Sequence, residues 1–185
     1  MSDEVVPDDA DGHPDEVVAF WELARARAKV GRLPVVTGVD VAAAMTPPAW
    51  AFGDNPALAD ELLALVLAGE KTGTTTAVAE LAATGGPEPW VGELSIILDG
   101  AGRPRALIRT TQVRRCRFAE VDAEFAASEG EGDRTLAGWR SDHERYWRRT
   151  LAGTGVAVDG DLEVFAETFE LLHPRPARSW RARSR

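Results

Sequence analysis

Gly69-Glu70-Lys71-Thr72-Gly73-Thr74-Thr75-Thr76 stands where the apolar segment Leu62 to Ala68 gives way to β-branched residues. A lysine and several hydroxyls meet at one chain reversal. Lysine is the side chain whose pKa falls most readily on partial burial, and a neutral amine beside a hydroxyl can take its proton. The segment therefore holds the ingredients of a nucleophile and its base. Gly-Glu-Lys is also an ordinary helix end, and a threonine run an ordinary strand start, so both readings stand at this point.

A second segment lies some way downstream. Ala126-Ala127-Ser128-Glu129-Gly130-Glu131-Gly132-Asp133 precedes Leu136, Trp139, His143, Tyr146 and Trp147, which recur with a helical rhythm. Together the two segments resemble the ASCH family, whose hallmark is a Gly-x-Lys-x-x-Thr element followed by an acidic Glu-Gly-Glu-Gly-Asp turn and a Trp/His helix. The resemblance runs from Trp21 to Leu172 and includes Pro47-Pro48-Ala49-Trp50-Ala51-Phe52-Gly53-Asp54, as in the longer branch of that family. It implies an α+β fold, a small PUA-like β-barrel with surrounding helices and a cleft on one side. It also implies members that act on, or bind, RNA and modified nucleosides.

Carried over by position, the resemblance puts the catalytic lysine at Lys71, the threonine at Thr74 and the acidic partner at Glu129. In chemical terms Thr74 would be the nucleophile, Lys71 its base and Glu129 the acid that protonates the leaving nitrogen. This scheme needs Lys71 pushed down by an apolar wall, for which Leu67 and Trp90 are candidates, and Glu129 pushed up. Thr75, Thr76, Trp50, Trp90 and Arg109 are the candidate substrate contacts, the tryptophans as base-stacking platforms. At Thr76 the small-nucleoside amidohydrolase branch has an arginine, so a substrate-clamping charge of that branch is absent here. The expected substrate is an acylated nucleoside of the N4-acylcytidine type. The alternatives are a single-stranded RNA ribonuclease and an RNA-binding module, whose affinity would fall steeply with salt where that of a neutral nucleoside would not.

Other groups admit plainer readings. Glu129, Glu131 and Asp133 also read as a Gly-rich acidic turn capping the following helix. His143 and His173 are alternative acid/base groups or packed histidines. Cys116, the single cysteine, excludes an internal disulfide and a cysteine-cluster zinc site. Three scattered histidines offer no ligand spacing, so neither metal nor cofactor is implied.

Charge bears on the choice of ligand. The formal net charge is −9, the reverse of what a polyanion binder shows. Eight acids precede the first base, Arg25, leaving 22 acids against all 21 bases in the rest of the chain. Residues 1–15 thus read as a disordered acidic leader, 16–173 as one near-neutral domain, and 174–185 as an Arg-rich tail carrying Trp180. The leader lacks the basic start and apolar run of a secretory signal. No stretch approaches the roughly 20 apolar residues of a membrane helix, so a cytoplasmic location is expected.

Local patterning predicts the elements. Val17, Phe20, Trp21 and Ala24 mark a helix over 16–30. A short helix is expected at 40–45. Asn55-Pro56 caps a helix over 57–69, and strands are expected at 90–98 and 106–118 about the turn Asp99-Gly100-Ala101-Gly102. Arg103, Arg105, Arg109, Arg114, Arg115 and Arg117 make the second strand a basic stripe or a solvated face. A short helix or turn over 118–128, a helix over 133–150 capped by Asp133, and a strand over 162–172 complete the pattern.

Overall fold

Asn55 accepts a hydrogen bond from the Leu58 amide at 3.0 Å, and Pro56 follows it in the first helical turn. These two residues start the helix that carries the chain into the lysine segment. The computed structural model describes residues 13–30 and 45–175. Within them lie α1 (Pro14–Ala28), β1 (Ala49–Trp50), α2 (Pro56–Ala68), β2 (Gly73–Ala77), α3 (Val78–Thr84) and β3 (Leu94–Leu98). Then follow β4 (Pro104–Arg117), a 3-10 turn (Phe118–Glu120), α4 (Ala123–Ser128), α5 (Leu136–Thr150) and β5 (Glu163–His173).

The strands form one mixed sheet in the order β1-β3-β4-β5-β2. The β1 strand runs parallel to β3, and every other pair is antiparallel. The β3–β4 hairpin forms as its turn sequence predicts, with the Asp99 carboxylate accepting from the amides of Ala101 and Arg103, each at 3.0 Å. The long β4–β5 ladder is the backbone of the sheet, and β2 lies along the far side of β5 with Thr74 opposite Glu167 and Thr75 opposite Ala166.

Both faces of the sheet are covered, as the unbroken run Ile96-Ile97-Leu98 requires. Because side chains alternate along a strand, Ile96 and Leu98 meet Val17, Trp21 and Ala24 of α1, while Ile97 meets Leu62, Leu63 and Val66 of α2. A third cluster holds Trp139 and Trp147 of α5 against Phe118, Val121, Leu162 and Val164.

Several expectations are corrected. The α+β class holds, but barrel closure is not detected: β1 and β2 are the two edges, and among the described residues no ladder joins them. The strand expected from Trp90 begins at Leu94, because Gly92 adopts a φ of +95° and the Glu93 amide turns back to the Trp90 carbonyl. Helix α5 begins at Leu136, capped by Thr135 through its Oγ1 at 3.0 Å from the Gly138 amide. Asp133 instead braces that cap, accepting from the Thr135 amide and hydroxyl. Helix α3 was not anticipated. Residues 1–12, 31–44 and 176–185, with the leader, most of the expected 40–45 helix and most of the tail, lie outside the described residues. No helix among those described is long and apolar enough to cross a membrane.

Candidate active site

Two segments distant in sequence are stitched together at the start of β2. The Thr72 amide donates to the Ser128 carbonyl at 2.7 Å, and the Thr72 carbonyl accepts from the Phe169 amide at 2.8 Å. Gly130 permits the close approach. Its φ is +73°, and a Cβ there would stand 2.5 Å from the Glu70 carbonyl oxygen. The turn after α4 is thereby pressed onto Glu70 and Lys71.

That contact buries an ion cluster. Lys71 and Glu129 are 2% and 1% exposed, with Lys71 Nζ 3.1 Å from Glu129 Oε2 and 2.5 Å from Glu131 Oε1. The second oxygen of Glu129 accepts from the Thr75 hydroxyl at 2.5 Å and from the Trp139 indole N–H at 2.8 Å. His143 Nε2 lies 3.6 Å from the same oxygen. Its ring stacks on Trp139 with centroids 4.3 Å apart, and its Nδ1 is 3.0 Å from the Trp139 carbonyl, one helical turn back. Phe52 closes the other side, with Lys71 Nζ 5.2 Å from its ring centroid.

The directions of the pKa shifts reverse the expected scheme. Burial alone would push Glu129 up, but the Lys71 ammonium, His143 and the hydrogen bonds from Thr75 and Trp139 outweigh it and hold the carboxyl at about 2. Burial likewise pushes Lys71 down, and Glu129 and Glu131 together drive it above its ordinary value. The resting site is an ammonium facing carboxylates, rather than a neutral amine beside a carboxylic acid. Phe52 forms an apolar wall beside Lys71, whereas Trp90 is 54% exposed.

Lys71 and Glu129 open onto a cleft of about 860 Å3, lined also by Trp50, Phe52, Thr74, Thr75, Thr76, Glu131 and His143. The predicted residues Lys71, Thr74, Thr75, Thr76, Glu129 and Trp50 are thus brought to one cavity. Trp90 and Arg109 are not among its lining residues. Thr74 and Thr75 are adjacent on β2 and point to opposite faces of the strand, and the hydroxyl on Glu129 is that of Thr75. Phe52, Glu80, Tyr146 and Arg149 also line the cleft, and sequence reasoning missed their part in it. Only the proximity of Phe52 to Trp50, in the segment shared with the family, hinted at it.

The arginines of β4 are neutralised. Arg109 donates to Glu170 through Nε at 2.8 Å, Arg105 pairs with Asp99, Arg114 with Asp122, Arg115 with Glu163 and Glu88, and Arg117 with Glu120. The stripe is a solvated face laced with ion pairs. At the cleft rim, Arg149 pairs with Asp54 at 2.6 Å and Arg145 with Asp142 at 3.0 Å. Cys116 lies partly buried on β4, where burial raises its thiol. His173, also raised in the sequence as an acid/base candidate, is buried near Phe20 and away from the cleft.

Comparisons with known proteins agree with this architecture. The family model for the ASCH domain matches residues 48–173, beginning after α1 and so later than Trp21, where the resemblance in sequence starts. The crystal structure of an ASCH domain from Lactobacillus crispatus JV V101 is 28% identical with a TM-score of 0.72, covering 85% of this chain and 94% of that one. That of protein EF3133 from Enterococcus faecalis V583 is also 28% identical with a TM-score of 0.71, covering 87% and 92%. No curated protein matches the chain. With its lysine element, acidic turn and Trp/His helix assembled on this sheet, the chain belongs to the ASCH domain family.

Proposed function

We propose that the cleft hydrolyses the amide on the exocyclic nitrogen of a neutral nucleoside, an N4-acylcytidine type of substrate. The observation that carries this reading is the buried chain from the Thr75 hydroxyl through Glu129 to Lys71, a hydroxyl within hydrogen-bond reach of a carboxylate that is itself held by an ammonium. Thr75 Oγ1 attacks the acyl carbon and its proton passes to Glu129. The Lys71 ammonium donates a proton toward the departing nitrogen, so the base leaves as a neutral amine. Water then cleaves the acyl ester, releasing a carboxylic acid and restoring the hydroxyl, and the proton on Glu129 passes to the neutral Lys71 amine 3.1 Å away, regenerating carboxylate and ammonium. Thr74, the threonine matched to the family motif, also lines the cleft and is the competing nucleophile.

The charge of the site favours a neutral substrate over RNA. One ammonium already faces two carboxylates, and the rim arginines Arg145 and Arg149 are paired, so among the described residues these cleft cations are already engaged. The test is hydrolysis of N4-acetylcytidine and of a short single-stranded RNA by the wild type, Thr75→Val, Thr74→Val and Glu129→Gln. Nucleoside turnover lost by at least about a hundredfold in Thr75→Val and Glu129→Gln supports the scheme, on the scale of general acid–base catalysis. Loss only in Thr74→Val moves the nucleophile to Thr74. RNA cleavage without nucleoside turnover overturns the reading.

A further inference from the structure

Strand β2 is an edge of the sheet, and its hydrogen-bonding parity is fixed by two contacts. The Phe169 amide donates to the Thr72 carbonyl, so the ladder toward β5 begins at that carbonyl, just before the strand, while the Thr72 amide turns to Ser128. Bonded and non-bonded positions alternate in an antiparallel pair. Thr74 and Thr76 therefore also face β5, while the backbone groups of Gly73, Thr75 and Ala77 turn to the free edge. The Ala77 amide confirms the parity: it turns away from β5 and donates to the Glu80 carboxylate at 3.0 Å. Gly73 lies under Ser128, whose Oγ would stand 2.4 Å from a Cβ placed there, and does not line the cleft. Among the described residues this leaves Thr75 as the position whose amide and carbonyl face the cleft with no protein partner.

In an extended residue the N–H and C=O of one position point the same way, side by side, as they do when meeting a neighbouring strand. We propose that this one-residue backbone edge reads the Watson–Crick edge of a cytosine-type base. The Thr75 amide donates to the ring nitrogen N3, and the Thr75 carbonyl accepts the exocyclic N4–H. Three observations select this occupant over a peptide strand. The open edge is a single residue long, since Glu80 and Ser128 close it on either side. The facing wall is aromatic, with Trp50 and Phe52 packed edge to face at 4.7 Å, which suits a planar ring. The floor carries more carboxylate than ammonium, which suits a neutral ligand. The inference deepens the proposed hydrolase, because it places the substituted exocyclic nitrogen beside the Thr75 hydroxyl, but its test reads binding alone.

The test is titration of the 15N-labelled full chain with cytidine, with 3-deazacytidine, which lacks the N3 acceptor, and with N4,N4-dimethylcytidine, which lacks the N–H. Cytidine is expected to shift the Thr75 amide resonance and slow its hydrogen exchange. Each analogue is expected to bind at least about fivefold more weakly, the effect of one unmade hydrogen bond. A protein-side comparison uses Thr75→Val, which keeps the backbone N–H, and Thr75→Pro, which removes it at an edge position where the ladder does not use it. Weaker cytidine binding by Thr75→Pro than by Thr75→Val, with both folded by circular dichroism, supports the proposal. Equal affinity for all three nucleosides, an unmoved Thr75 amide, or no cytidine binding overturns it; should Thr75→Pro not fold, the analogue series decides. Analogue-sensitive binding without turnover would retain this edge and refute the hydrolase, whereas turnover with equal analogue affinities would do the reverse.

Discussion

Replacing Lys71 with Met keeps an unbranched stem against Phe52 and withdraws the ammonium from two carboxylates, one of them 1% exposed. Two figures set the scale, the first of them shared by Lys71 with His143, Thr75 and Trp139. Glu129 is held at about 2 against an ordinary 4.5, which at about 1.4 kcal/mol per pH unit corresponds to about 3 kcal/mol of stabilisation of its charge. Removal of one partner of a buried ion pair costs about 3–5 kcal/mol in general. Lys71→Met should therefore lose about 3–5 kcal/mol at pH 7. The pH dependence is the sharper signature. In the wild type Glu129 is depressed in the folded state, so its contribution is present above its ordinary value and is lost as pH falls from about 5 toward about 2. In Lys71→Met the largest of the effects opposing burial is gone, Glu129 rises, and the folded variant gains by taking up a proton. The difference in stability between the two proteins should shrink steadily from pH 7.5 to 4. Glu167, pushed up to about 7 by burial and by Glu93, titrates in the same range in both proteins, so only the difference curve is diagnostic. Urea unfolding followed by tryptophan fluorescence at a series of pH values measures it. A difference that is constant over this range would refute the coupling of Lys71 to Glu129, and Lys71→Met/Glu129→Gln should give a small, pH-independent gap.

Three further outcomes follow from the same contacts. Trp139→Phe keeps the stack on His143 but removes the N–H from Glu129, and should cost about 1.5–3 kcal/mol by denaturant unfolding while raising the pH at which the Glu129 contribution is lost. Gly130→Ala meets both a φ of +73° and the Glu70 carbonyl, and should lose more than the roughly 1–2 kcal/mol of a left-handed residue, with faster amide exchange at Thr72. Asn55→Ala should lose about 1 kcal/mol through the α2 cap and leave turnover unchanged when assayed well below the melting temperature.

The parts of this fold that were legible in the sequence are those whose local chemistry is self-sufficient. Asn55-Pro56, the 3.6-residue spacing of α1 and α2, and the Asp99 turn each specify an element without reference to the rest of the chain. Helix α3 fails that test. It has seven residues, and no N-cap side chain precedes it: the Ala77 amide is met by Glu80, which Trp147 also holds at 2.9 Å from a helix far along the chain. The acidic turn was ambiguous for a related reason. Glu129, Glu131 and Asp133 look alike in sequence, yet the first is sealed on Lys71, the second half-shares that lysine and the third is an exposed brace for Thr135. Sequence brought Lys71 and Glu129 to one site through the family pattern but gave no distance between them. At about 3 Å mutual attraction exceeds the desolvation that separated groups would feel, and the sign of both pKa shifts turns on that separation.

The expected closed barrel and the observed open edges bear directly on the site. Trp50 and Phe52 stand at and just beyond the β1 edge, Thr74 to Thr76 form the β2 edge, and the cleft is lined by both groups. A ladder closing the sheet by joining β1 to β2 would use the outward amide and carbonyl of Thr75 and fill the approach to Lys71. An unpaired edge is a liability in most sheets, and here it is limited by Glu80 on one side and Ser128 on the other. What remains is too short to recruit a strand and wide enough for a ring. The same gap gives the Thr75 hydroxyl, the one group of the ion cluster that reaches the strand edge, its access to a bound molecule.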